Sequence, residues 1–171
     1  MRRHLIVLIA VLVILGFSSA YAQSSPARLC VPELLSEDPT VSITATRDAL
    51  IKFLGKQKNL PAETIAFDTA EPAQVVTQAR DKKCDYVVST VLTEVHSESG
   101  YTGGLQGQNL QNFFVTVEYK LNRVADGAAL ASGSLKASDR SGPQTATIST
   151  MKKISDKVAE TLRNSASAPA K

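Results

Sequence analysis

The sequence has no Trp, and aromatic residues make up only 5% of it. Any core must therefore be built largely from aliphatic side chains. It also lacks an excess of one charge: 19 basic and 16 acidic residues give +3, and two of the bases, Arg2 and Arg3, stand at the extreme N-terminus. Without those two the balance is 17 against 16, or +1, which leaves no electrostatic footprint for neutralising many phosphates and excludes nucleic acid as the expected partner. The pairs Lys82–Lys83 and Lys152–Lys153 read as solvated helix faces. Histidine is confined to His4 and His96 and cysteine to Cys30 and Cys84. No second His completes a zinc triad, no G-x-S-x-G elbow occurs, and neither cysteine has a basic neighbour in sequence, so nucleophilic catalysis has no visible machinery. With 43% hydrophobic and 20% charged residues, the composition is that of one ordinary globular domain, not of a disordered, collagenous or polytopic membrane chain.

The N-terminus carries three-part secretory patterning. Met1-Arg2-Arg3-His4 is positive, Leu5–Gly16 has no polar side chain, and Ala20-Tyr21-Ala22 puts small residues where a signal peptidase inspects the chain. The apolar run is shorter than the about 20 residues a spanning helix needs, so cleavage after Ala22 is expected, with Gln23 as the mature N-terminus. Cys30 follows Ala27-Arg28-Leu29, and the charge there disfavours lipidation. The expected organisation is a signal peptide over 1–22, one domain over 23–164 and a frayed tail over 165–171. An exported chain meets an oxidising compartment, where disulfides persist. Joining Cys30 to Cys84 would close a loop worth about 4 kcal/mol in the chain-entropy model; the alternative is two buried free thiols.

Arg28–Leu34 reads as a first strand ending near Pro32. Ala49, Leu50, Phe53 and Leu54 share one face of a helix over Thr44–Gln57, with Gly55 and Asn59 as stop signals. Glu63–Phe67 is a short second strand, and Glu71-Pro72 forms an N-cap and first-turn pair for a helix burying Val75, Val76 and Ala79. Cys84–Val95 is β-branched and apolar on both faces at its start, which suits a central strand. Ser97–Gln111 is rich in Gly, Gln and Ser and reads as a mobile loop. Its glycines, Gly100 to Gly107, lack a P-loop ending. Asn112–Leu121 alternates with period two, Asp126-Gly127 supplies a turn, and Ala128–Ala137 returns as the partner strand. A last helix over Thr145–Asn164 carries an apolar stripe of Ile148, Met151, Ile154, Val158 and Leu162. The fold class is α/β with an α+β character: βαβαβ, then a β-hairpin and a C-terminal helix, forming a mixed sheet packed by three helices.

Glu94, His96 and Glu98 fall on one face of a strand, a conceivable weak metal centre or acid/base cluster, against the simpler reading of a solvated strand end. Phe114 falls on the polar face of its strand, and the preceding loop carries Tyr101 and Leu105. These three are the candidate partner-docking residues. No cofactor is expected.

Three segments carry a resemblance: Arg28-Leu29-Cys30-Val31-Pro32, Ala79–Thr93 (ARDKKCDYVVSTVLT) and Val115–Ser134 (VTVEYKLNRVADGAALASGS). In these the chain resembles the exported envelope domains related to the curli secretion channel CsgG, the penicillin-binding-protein activator LpoB and the N-terminal domain of TolB, over most of residues 28–163. The resemblance implies a non-enzymatic module that builds or controls the envelope through protein contacts. The alternative is a small-ligand- or metal-binding domain or weak hydrolase using the Glu94, His96 and Glu98 face. The Ser97–Gln111 loop is too short and polar for a membrane-inserted hairpin, so a periplasmic relative without the channel, with no membrane span after leader cleavage, is expected.

Overall fold

The structure, a computed structural model, describes residues 26–101 and 109–167. The leader, the Ala22–Gln23 junction and Leu105 lie outside the described residues. The chain runs β1 (Ala27–Val31), α1 (Ile43–Leu54), β2 (Ala62–Ala66), α2 (Pro72–Asp81), β3 (Tyr86–Tyr101), β4 (Asn109–Arg123), β5 (Ala129–Asp139) and α3 (Pro143–Ser167). The strands form one mixed sheet in the order β2-β1-β3-β4-β5. β1 pairs parallel with β2 and β3, and β4 pairs antiparallel with β3 and β5. The order of elements expected from the sequence is the order found.

Alternation along each strand sorts the side chains into two cores. Leu29 and Val31 of β1, Val88 of β3 and Val117, Tyr119 and Leu121 of β4 meet Leu50 and Leu54 of α1 and Met151, Ile154, Val158 and Leu162 of α3. On the other face Cys30, Phe67, Cys84 and Val87 meet Val75 and Ala79 of α2 in a smaller cluster. Two helices thus cover one face, whereas α2 alone covers the other. Cys30 and Cys84 are joined by a disulfide, with their Cα atoms 6.0 Å apart. It ties β1 to the residue pair before β3, where Cys30 lies level with Val87.

Local chemistry sets the ends of the elements. Ser42 caps α1, its Oγ accepting from the Ala45 N–H at 3.3 Å. Pro72 opens α2, where its missing N–H costs nothing. Gly127 takes φ +70 in the β4–β5 turn, which its lack of a Cβ permits. Gly133 of β5 serves a close approach: a Cβ there would stand 3.1 Å from the Tyr119 ring.

Three expectations are corrected. The segment Ser97–Gln111 is not a loop throughout: β3 continues to Tyr101 and β4 begins at Asn109, paired from Ser97↔Phe113 to Tyr101↔Asn109. The part of the case against an inserted hairpin that rested on a short loop goes with it; the polar character of Ser97–Gln111 stands. Val76 is not buried with Val75 and Ala79 but 51% exposed, because α2 packs along one narrow line. Finally, α3 passes Asn164 and runs to Ser167, so the helix takes in the start of the supposed tail.

Candidate functional site

The second face of the sheet holds Glu94, His96, Glu98 and Phe114. A bulge in β3 is the reason. Leu92 pairs with Val117 and Glu94 with Thr116, leaving Thr93 as the extra residue, its Oγ1 donating to the Thr116 carbonyl at 3.2 Å. Before the bulge, even-numbered residues such as Val88 face α1 and α3; after it, Glu94, His96 and Glu98 face the other way, beside Phe114 and Thr116. Without that extra residue the three polar side chains would turn to the face that carries α1 and α3.

His96 lies directly opposite Phe114, and their rings stack with centroids 5.0 Å apart and planes 11° from parallel. Glu94 Oε1 stands 3.3 Å from His96 Nδ1, and Glu98 Oε1 stands 3.7 Å from Nε2. Thr116 Oγ1 donates to Glu94 Oε2 at 2.9 Å. The carboxylates therefore address opposite nitrogens of one ring. A metal ion on either nitrogen would have only one of them beside it, and among the described residues no group of three or more His, Cys, Asp and Glu is placed to hold a metal ion. The arrangement clamps an imidazole; it does not assemble a nucleophile, base and oxyanion donor. Phe114 is half-buried against His96, not a free aromatic. Tyr101 ends β3 on the same hairpin, at Tyr101↔Asn109.

Beside α2 the same face forms an open trough of about 850 Å³. Val75, Val76 and Ala79 of α2 form one wall, Val87, Ser89, Val91, Ser132 and Ser134 the floor, and Leu35 one end. Leu35 and Val76 are 41% and 51% exposed, two of the three large hydrophobic side chains that are exposed among the described residues. Arg80, Lys120 and Arg123 stand at or toward one end and Glu33 and Glu118 toward the other. Arg123 is tied to Asp126 at 3.1 Å. Sequence reasoning missed the trough because it assigned Val76 to the core and did not place helices on faces of the sheet; the alternation of Glu118 and Lys120 with Val117, Tyr119 and Leu121 was the available signal.

One buried cation has a structural task. Arg47 of α1 donates to the Phe67 carbonyl at 2.9 Å and to Asp68, and it pairs with Asp48 at 2.9 Å and Glu33 at 3.6 Å. Burial disfavours its charge, but the bonds to Asp68 and Asp48 outweigh that and hold its pKa above the ordinary value. It staples α1 to the ends of β1 and β2.

No helix among the described residues is long and apolar enough to cross a membrane. No protein family matches the chain, and no curated protein does. Solved structures do. PelC from Paraburkholderia phytofirmans, solved as a dodecamer, is 20% identical over 80% of this chain and 91% of its own, with a TM-score of 0.56. A hypothetical protein from Chlamydia trachomatis is 10% identical over 81% of this chain and 99% of its own, with a TM-score of 0.54. Neither is named for an enzymatic activity. The C-terminal domain of LpoB from Salmonella enterica is a looser neighbour, 12% identical over 68% of this chain and 86% of its own at a TM-score of 0.43. The likeness at these identities is one of fold.

Proposed function

We propose that the chain is an exported, non-enzymatic module of the bacterial envelope that works by binding another protein. The observation that carries this reading is the unequal covering of the sheet: two helices lie on one face, while the other combines a bare trough with a hairpin arm. Two of the three large exposed apolar side chains among the described residues share that strip of surface, as they would at a docking site. The disulfide fits an oxidising compartment, and the leader residues 1–22 supply the route. The arm bearing Tyr101 and Phe114 is a second contact area. The LpoB and CsgG resemblances point to the same kind of role.

Two measurements test the reading. Mass spectrometry of the periplasmic fraction should find Gln23, free or cyclised, at the N-terminus; recovery only in membranes with Met1 retained would sink the export part. For the binding part, His96→Ala should leave the phenotype of the intact gene unchanged, because the imidazole supports structure and performs no chemistry. Complete loss of function by a folded His96→Ala protein would point instead to the ligand-binding or hydrolytic alternative.

A further inference from the structure

Deepening the partner-binding reading, we infer that the trough beside α2 receives an amphipathic helix from a different protein, lying with its C-terminal end toward Arg80. The first argument is the vacancy. α1 and α3 lie side by side over one face, but α2 lies alone over the other, beside β3. A layered sheet leaves room at that height for a second helix. The floor suits one: Ser89, Ser132 and Ser134 are small and Val87 and Val91 apolar, so a helix backbone can come close while its apolar stripe covers Val76 and Leu35.

The second argument is charge. Six charged side chains line the trough: Glu33, Arg80, Glu118, Lys120, Arg123 and Asp126. Arg123 and Asp126 pair with each other, and Glu33 is held by Arg47. Arg80, Lys120 and Glu118 make no ion pair among the described residues. The free cations stand toward the C-terminal end of α2, and Glu118, opposite Val91, stands toward the Leu35 end. A helix is negative at its C-terminus and positive at its N-terminus, so this gradient fixes its direction as parallel to α2.

The third argument excludes a helix from a second copy. Among the described residues the only exposed large hydrophobic side chains are Leu35, Ile43 and Val76, and no described helix shows two of them. The described helices therefore offer no apolar face to a neighbour, and on the export reading above, residues 1–22 are removed, so the occupant is another protein.

The test places a photoreactive benzoylphenylalanine at Val76 or Leu35 in cells producing the full chain, with Ser99 on the arm and Lys157 on the outer face of α3 as further positions. Adducts from positions 76 and 35 should map to one segment of one other protein, a helix with apolar residues three and four apart. Arg80→Glu with Lys120→Glu should cut their yield about tenfold, as loss of close charge contacts does, while the thermal midpoint stays put. Both residues are exposed, so the variant should fold. Adducts to a second copy of this chain, to lipid or to a non-helical segment would overturn the inference, as would a yield no higher than at Lys157. Adducts at Ser99 alone would overturn it yet leave the partner-binding reading standing; none at any position would remove both.

Discussion

At the scale of single residues, the side chains that matter most are polar groups fixed by what surrounds them. Asn122 Oδ1 is buried without a hydrogen-bond partner, in a strand position opposite Val87. An unsatisfied buried acceptor costs about 1–3 kcal/mol, and Val suits a strand better than Asn does. Asn122→Val should therefore stabilise the domain by about 1 kcal/mol, seen as a higher urea midpoint; a lower midpoint would mean that the amide makes an interaction in solution. Asp126 shows the opposite case. Its Oδ1 accepts from the Ala128 N–H at 3.0 Å, and Arg123 lies beside Oδ2. The backbone bond first and the guanidinium second hold its pKa below the ordinary value. A carboxylate with a lowered folded pKa stabilises above its unfolded pKa and loses that contribution as pH falls through the folded one. A carboxyl NMR titration should place Asp126 below a free Asp, and Arg123→Ala should raise it only part of the way, since the backbone donor stays. That Glu94, His96 and Glu98 share a face was legible from period two alone. Which face it is was not, because the bulge at Thr93 is a property of the pairing with β4 and leaves no mark on β3's own sequence.

Elements were legible where apolar periodicity was strong and failed where composition spoke alone. The two crossover units and the stripe on α3 were plain, since burial on one side imposes their spacing. The hairpin arm was not. Ser97, Ser99 and Gly100 are residues typical of turns, yet they pair in register because β3 and β4 have already been aligned below them. Such a ribbon is held by few neighbours: β5 pairs with β4 only as far as Phe113↔Asp139. A two-stranded hairpin is marginal by itself. Amide hydrogen exchange at Ser97–Gly100 should run about a hundredfold or more faster than at Val87–Thr90, which open only with the domain. Equal protection would show that the arm is held by contacts beyond its own pairing, and the bare edge of β3 past the bulge would then need a partner even in the free protein.

For the whole molecule, the sheet is two systems sharing β3. Its parallel half, β2-β1-β3, depends on long crossovers, while its antiparallel half, β3-β4-β5, closes through a turn and the arm. β1 meets β3 at only two register positions, Leu29↔Tyr86 and Cys30↔Val87. The disulfide sits at that narrow seam, spans 54 residues of sequence and is covered by Phe67, Val75 and Ala79. The pairing of the cysteines was legible because the chain holds a single pair beside strands that a crossover would make neighbours; the bareness of the face above them was not, since nothing in a linear pattern says how many helices settle on each side. Reduction should therefore loosen the smaller cluster in particular. In the chain-entropy model the bond is worth about 4 kcal/mol, less any compensating structure in the unfolded chain. Urea unfolding of the Cys30→Ala, Cys84→Ala protein should show a much lower midpoint and a steeper dependence on urea than the oxidised protein, because the uncrosslinked chain exposes more surface when unfolded. Exchange at Val75–Ala79 should accelerate well before exchange at Met151–Val158, whose packing on β4 involves neither cysteine. Coincident midpoints would mean that the seam is held by the β1–β3 hydrogen bonds and the cover of α2 alone; uniform acceleration across both clusters would mean that the two cores fold and unfold as one.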